Sequence, residues 1–295
     1  LVIKIGLLTR NPNAWCSSKL KKAIEDRNCE AVCFDFSKII AFVDSSNDKV
    51  IISGFGLASK LDAIIVRPIG RGSLDEIIFR LDTLNRIEQS GVFVVNSPKV
   101  IERCVDKYYT LCLLNEKGIQ VPKTIVTENP RLALEGFKIL GGDVVLKPLF
   151  GSRGLGITRI NDYEVARRVF NTLAYMHHVL YAQKFVSHGN SDIRCFVVND
   201  KVVASMIRRA RGWKTNISQG AEPLSYKASK DVKNLAVRAC KILGCYIAGV
   251  DIMISNEGYF VHELNSQPGF KGLQSTTKVD IAREIVDFVI SKVKR

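Results

Sequence analysis

Over the first hundred residues, short β-branched apolar runs alternate with segments of helical spacing. VIKIGLL (2–8), EAVCFDF (30–36), KVIISG (49–54), DAIIVR (62–67) and VFVVN (92–96) predict strands. KLKKAIEDR (19–27) and LDEIIFRLDTLNRIEQSG (74–91) carry helical periodicity, the second stopping at Gly91. Strands interleaved with helices predict a mostly parallel α/β sheet. Ser97-Pro98 then opens one helix to about Gly118, followed by the strand VPKTIVT (121–127) and a helix from Pro130 to Gly141-Gly142. DVVLKPL (143–149) and GITRI (156–160) read as strands around a glycine-rich connection. From about Tyr181 hairpins dominate: LYAQKFV (180–186), then DIRCFVV and KVVASMIRR joined at Asn199-Asp200. One helix, DVKNLAVRACKILG (231–244), precedes YIAGVDIMIS (246–255) and YFVHELN (259–265), and a closing helix starts near Asp280.

The fold class expected is therefore α/β plus α+β in three parts. They are an N-terminal parallel α/β domain (1–98), a small central α+β lobe (99–180) and a C-terminal antiparallel α+β lobe (181–295). There is no internal repeat and no low-complexity stretch.

Composition narrows the classes. The chain is 46% hydrophobic and 24% charged, which excludes a mainly disordered protein. No apolar stretch nears the roughly 18 residues of a spanning helix, so no membrane role is expected. LVIKIGLL is too short for a signal peptide, which favours the cytoplasm. The eight cysteines contain no C-x-x-C and mostly sit in apolar patterns, pointing to reduced structural thiols rather than zinc. A net charge of +14 fits an anionic partner or a lysine-rich solvated surface. Its basic residues are scattered without interleaved aromatics, which argues against nucleic acid. A homo-oligomer is compatible with this composition.

The first chemical signal is DVVLKPLFGSRGLGITRI. Gly151, Ser152, Gly154 and Gly156 form a loop whose backbone N–H groups can cradle phosphate oxygens. Gly156 is followed by Ile157-Thr158 and a strand, which excludes a Walker A loop and a dinucleotide fingerprint, since both open a helix. A glycine flap between two strands, with Lys147 just ahead of it, is one way of covering ATP phosphates. A surface lysine beside a hairpin is the plainer alternative.

The second signal is GVDIMISNEGYFVHELN. A three-residue loop Asn256-Glu257-Gly258 sets Ser255 against Tyr259 and, by equal steps, Asp251 against Glu263. Asn265 lies two residues on, on the same face as Glu263. Two facing carboxylates on apolar strands repel unless a cation lies between them. Oxygen ligands suit magnesium. Solvated edge acids are the alternative. Asp192 and Arg194 share a strand face, and Arg194 and Arg208 are candidate charge partners for a transferring phosphoryl group or simply paired surface arginines. Arg67 and Arg71 sit where DAIIV ends, at the carboxyl edge expected to meet ligands in a parallel sheet.

These residues, in this order, resemble the ATP-grasp superfamily, and within it the RimK-like amino-acid ligases that add glutamate to a carboxylate. The motifs are VDKYYTLCLL with Lys107, VLKPLFGSRGLG with Lys147, AQKFV, SDIRCFVV, RGWKTNISQG, GVDIMI and HELNSQPGFKGLQSTTKVDIA. The resemblance spans essentially the whole chain and is strongest from Val95 to Ala282. It implies a pre-ATP-grasp domain followed by two ATP-grasp lobes. It further implies that Lys107 and Lys147 contact ATP phosphates and that Gln183, Lys184, Phe185 and Val186 form the strand meeting adenine through its backbone. Asp192 would lie near the ribose, and Lys214, Thr215 and Asn216 over the nucleotide. Asp251, Glu263 and Asn265 would hold magnesium or manganese, two ions in all, and Arg194 and Arg208 would neutralise phosphoryl charge. Lys184 stands where an acid is common. Lys214 stands where Arg is frequent, keeping the charge without the planar fork.

The chemistry implied is formation of an acyl phosphate from ATP and an acceptor carboxylate, then attack by the amino group of L-glutamate. GWKTNISQGAEP and NSQPGFKGLQ look most like archaeal members that finish cofactors, with tetrahydromethanopterin the expected anionic acceptor. The γ-glutamyl tail of the methanogen deazaflavin coenzyme and a ribosomal-protein C-terminus are rivals. A non-catalytic ATP-binding protein and a basic nucleic-acid-binding protein are the readings from other classes.

Overall fold

The computed structural model describes residues 2–45, 49–151 and 154–293. The N-terminal part contains β1 (Lys4–Leu8), α1 (Trp15–Glu25), β2 (Glu30–Phe34), β3 (Ile39–Phe42), β4 (Lys49–Ile52), β5 (Gly56–Leu57), β6 (Ala63–Val66), α2 (Leu74–Gln89) and β7 (Phe93–Val95). Its sheet has the order β2-β1-β6-β7, and every pairing is parallel. β6 is buried at all four positions, as a parallel strand covered on both faces must be. KVIISG departs from this sheet. It forms β4 in a separate antiparallel sheet, β3-β4-β5, because it follows β3 directly, with no crossover helix to return it parallel. α2 starts on a capping box, in which Ser73 and Glu76 satisfy each other's backbone N–H.

The helix expected from Pro98 to Gly118 is two helices, α3 (Pro98–Val105) and α4 (Lys107–Glu116). Asp106 breaks them with an extended backbone and accepts from the Tyr109 N–H at 3.0 Å, acting as N-cap of α4. Lys107 thereby becomes the first residue of a helix. The central elements are β8 (Thr124–Thr127), α5 (Pro130–Ile139), β9 (Val144–Lys147), β10 (Thr158–Ile160), α6 (Tyr163–Tyr175) and β11 (Leu180–Lys184). Their sheet has the order β10-β9-β11-β8. LYAQK, assigned from sequence to the last lobe, thus pairs with β9 and β8 and belongs to the central sheet. Conversely, Val100 of α3 and Leu114 of α4 pack into the core of the last lobe.

That lobe holds β12 (Ser191–Val198), β13 (Lys201–Arg209), β14 (Glu222–Ser225), α7 (Lys230–Leu243), β15 (Ile247–Ser255) and β16 (Gly258–Asn265). They form an antiparallel sheet of order β14-β13-β12-β15-β16. The short α8 (Lys271–Gln274) leads to α9 (Ile281–Val293), which packs on α1 and returns to the N-terminal part. Asn96 fastens the same junction. Its amide donates to the Ile247 and Ser266 carbonyls at 2.7 and 2.6 Å, and its oxygen accepts from the Tyr246 N–H at 2.9 Å. Among the described residues no helix is long and apolar enough to cross a membrane.

Candidate active site

A pocket opens between the central sheet and the last lobe. Lys107, Lys147, Gly151, Gly154, Gln183, Lys184, Phe185, Val186, Lys214, Thr215, Asn216 and Glu263 all line it. Ser152 lies outside the described residues. Gly156, Asp192, Arg194, Arg208, Asp251, Asn265, Arg67 and Arg71 are not in the lining.

β9 and β10 run antiparallel with Leu146 opposite Thr158, so the glycine segment is the loop of a hairpin, as its flanking strands predict. At Gly154 the backbone takes φ +70°, and a Cβ would collide with the Asn216 amide oxygen. Only glycine lets the flap lie this close to the Lys214–Asn216 loop. Beneath the flap, Lys107 Nζ donates to the Leu149 and Gly151 carbonyls at 3.2 and 3.1 Å. Lys147 Nζ donates to Gln183 Oε1 at 2.7 Å, and Gln183 is oriented by Thr124 Oγ1 at 3.0 Å and the Tyr181 hydroxyl at 3.2 Å. Burial lowers the Lys147 pKa from 10.5 to about 8, with Glu263 opposing and Lys107 reinforcing the drop. Lys107 is lowered in the same way, by burial against the pull of Glu263 and Asp106. The Lys107 and Lys147 ammonium groups thus share the pocket with the Glu263 carboxylate and rest on neutral hydrogen-bond partners.

The hairpin register differs from the expectation while reaching the same pair. β15 and β16 meet through a two-residue turn, with Ser255 opposite Gly258, which sets Ile252 against Val261. A bulge between Asp251 and Ile252, leaving His262 as the extra residue on β16, then brings Asp251 opposite Glu263. The bulge also accounts for His262 in the pocket lining, which no alternation in the sequence signals.

Asp251 is not the unpaired carboxylate, waiting for a cation, that the hairpin pattern predicts. It is fully buried and accepts from both Nε and Nη2 of Arg194, the latter at 2.7 Å, and from Arg208 Nη2 at 2.9 Å. Gly249 permits this, since a Cβ there would stand 2.7 Å from Arg194 Nη1. Arg208 is 4% exposed and also donates through Nε to Asp192 Oδ1 at 2.7 Å. Asp192, 1% exposed, further accepts from Thr215 Oγ1 at 2.7 Å and lies 3.4 Å from His262 Nε2. Burial works against the Asp192 charge, but Arg208 and His262 hold its pKa well below the usual carboxylate range. Burial likewise opposes the Arg208 charge, and Asp251 and Asp192 more than restore it. Direct contact of Arg208 with a phosphoryl group, or of Asp192 with a ribose, does not fit this closed arrangement. Both sit behind the pocket wall, Asp192 fixing the Lys214–Asn216 loop through Thr215.

The backbone N–H groups of Lys184 and Phe185 are engaged by the Lys123 and Asp143 carbonyls at 2.8 and 2.9 Å, so neither is free to meet an adenine ring. Arg67 follows β6 at its carboxyl end, but its guanidinium is buried, donates to the Pro268 carbonyl at 2.9 Å and packs on Phe270. It braces two lobes rather than facing a ligand. Arg71 is exposed. Trp213, Met253 and His188 also line the pocket. Met253 had a readable signal, two residues from Asp251 on one strand, whereas His188 lies in the loop after β11 and had none.

A flap hairpin over paired lysines, between two lobes joined to a parallel N-terminal sheet, is the architecture of an ATP-grasp ligase. Residues 3–101 match the RimK PreATP-grasp domain and residues 104–289 the RimK-like ATP-grasp domain. The chain belongs to the RimK-like ATP-grasp family and is an ATP-dependent carboxylate–amine ligase. It is 33% identical to the tetrahydromethanopterin:alpha-L-glutamate ligase of Methanococcus maripaludis, covering 99% of each chain. It is equally 33% identical to a probable alpha-L-glutamate ligase of Pseudomonas aeruginosa, over 97% of this chain and 95% of the other. Among solved structures it superposes on the ATP-grasp ligase PsnB, complexed with a phosphomimetic variant of minimal precursor, Mg and ADP. There the TM-score is 0.76 at 20% identity, covering 100% of this chain and 99% of that one. A RimK domain ATP-grasp protein from Sphaerobacter thermophilus gives a TM-score of 0.75 at 21% identity, over 97% and 99%.

Proposed function

We propose that this ligase couples the amino group of L-glutamate to an anionic acceptor, adding one α-linked glutamate to tetrahydromethanopterin. The observation carrying the nucleotide half is the convergence of Lys107, Lys147 and Glu263 under the glycine flap. Full-length identity to the tetrahydromethanopterin-directed relative supports the acceptor, and the basic balance of the chain favours an anionic one.

In this reading Lys147 and Lys107 bind the ATP phosphates, exchanging their present amide and carbonyl partners for phosphate oxygens. An oxygen of the acceptor carboxylate attacks the γ-phosphorus, the bond to the β,γ-bridging oxygen breaks, and ADP departs. The amine of glutamate attacks the resulting acyl carbon, loses a proton, and expels inorganic phosphate. Positioning and charge neutralisation do most of this chemistry.

Glu263 and Asn265 supply the oxygen donors magnesium prefers, while Asp251, opposite Glu263, is already engaged by both arginines. These oxygen donors fit magnesium, with Glu263 the residue that would principally hold it; bound there, the ion would neutralise charge on the phosphates. Arg194 and Arg208 act through Asp251, holding its carboxylate in place. Arg71 is an exposed cation at the sheet edge, offered to the acceptor. The test is incubation with ATP, magnesium, labelled glutamate and each of three acceptors: tetrahydromethanopterin, the deazaflavin coenzyme and a ribosomal-protein tail peptide. A tetrahydromethanopterin product heavier by one glutamyl residue is expected. Product only with either rival refutes the acceptor assignment.

A further inference from the structure

Two cysteines outside the pocket lining meet where α3 packs on the last lobe. Cys104 lies in the last turn of α3 and Cys245 just after α7, and their Sγ atoms approach to 3.5 Å across 141 residues of chain. A disulfide bond is about 2.05 Å, so closure asks for a shift of only about 1.5 Å shared between two side chains. A side chain of α3 already reaches the end of α7. Arg103 Nη1 donates to the Leu243 carbonyl at 3.3 Å, and Thr110 Oγ1 ties α4 to the Arg103 carbonyl at 2.7 Å. The approach is thus fixed between the last turn of α3 and the capped end of α7, where the Cys245 N–H donates to the Cys240 carbonyl at 2.9 Å. The pair is also asymmetric in access: Cys104 is partly exposed, whereas Cys245 is 5% exposed. Cys104 is thus the member of the pair nearer solvent, and Cys245 its buried neighbour.

We propose that Cys104 and Cys245 are a redox-responsive pair that closes to a disulfide by exchange with a low-molecular-weight disulfide. Closure tethers the helix preceding Lys107 to the last lobe. The Cys104 thiolate attacks one sulfur of the small disulfide, forming a mixed disulfide and releasing one thiolate. Cys245 then gives up its proton and attacks the Cys104 sulfur, releasing the second thiolate. The protein loses two electrons and two protons; the small disulfide gains them as two thiols. Because Lys107 stands three residues after Cys104, the tether lies next to a pocket lysine.

The experiment treats the intact enzyme with glutathione disulfide and maps its peptides without reduction. A Cys104–Cys245 cross-link is expected as the first intramolecular link, reversed by dithiothreitol, with the oxidised enzyme melting roughly 5 °C or more above the reduced one. Cys104→Ser and Cys245→Ala should each remove both the link and the melting difference. A stable glutathione adduct on Cys104 without the link, a first link between other cysteines such as Cys104 and Cys240, or no reaction overturns the pair. A link without a rise in melting temperature overturns the tether.

Discussion

Asp251 and Glu263 stand opposite each other on neighbouring strands, yet their surroundings differ in kind. Asp251 is sealed from solvent and bonded to two arginines, one of which it shares with Asp192. Glu263 lines the pocket, where the charges acting with it are Lys107 and Lys147, and those ammonium groups rest on an amide and on carbonyls. The first cluster is saturated: Asp192, Arg208, Asp251 and Arg194 alternate in sign, and Thr215 and His262 complete it. The second is left with neutral partners that a phosphate can displace. Fully compensated buried charges hold a structure in one arrangement, while charges with replaceable partners hold binding energy for a ligand.

Removing a member of each cluster should separate these roles. Asp251→Ala leaves Arg194 and Arg208 buried with a partner missing, and should cost about 3–5 kcal/mol in urea denaturation. If the variant instead keeps wild-type stability, the saturated cluster is not a scaffold. Lys147→Ala removes a pocket charge without orphaning a buried ion. It should lower kcat and raise the ATP KM, with roughly a 10²-fold loss of kcat/KM, and leave the denaturation midpoint near wild type. Normal kinetics would reduce Lys147 to a packing residue.

A smaller, pH-dependent effect sharpens the contrast. With the Lys147 pKa lowered to about 8 against 10.5 in the unfolded chain, the unfolded state holds more protons between those values. The contribution of this group to stability therefore rises with pH across that window. Nucleotide binding should run the other way. At pH 9 roughly tenfold fewer free enzyme molecules carry the Lys147 ammonium than lack it, so the ATP KM should climb several-fold between pH 7 and pH 9. Measured side by side, the ATP affinity (1/KM) should fall with pH while the urea midpoint rises. Parallel slopes would mean that Lys147 does not meet the phosphates.

Much of the site was legible because its residues fall in strands whose alternation and turns carry information. VVLKPL and GITRI flank a glycine loop, and they pair as strands around it. The Asp251–Glu263 opposition was reached through a turn one residue too long, which the bulge at His262 cancels. Neither the turn length nor the bulge is written in hydrophobic periodicity, since both depend on how the ladder closes. The partnership of Asp251 with Arg194 and Arg208 was also hidden. β12 pairs with β15 and β13 on either side, and only that three-strand neighbourhood shows which charges adjoin. Arg67 looked like a ligand-facing arginine at a strand end until the 268–270 segment, some two hundred residues later, was found packed on it. Likewise LYAQK read as the start of a hairpin lobe because its pairing with β8 and β9 is non-local.

The most direct test of the division between scaffold and reacting pocket is Glu263→Ala, followed by ADP release at saturating ATP across a magnesium titration and by a melting curve. Turnover should be nearly abolished at every magnesium concentration, while the melting midpoint does not fall, because Glu263 lies outside the saturated cluster. Wild-type turnover, or a loss of activity that tracks a loss of folded protein, would contradict the account.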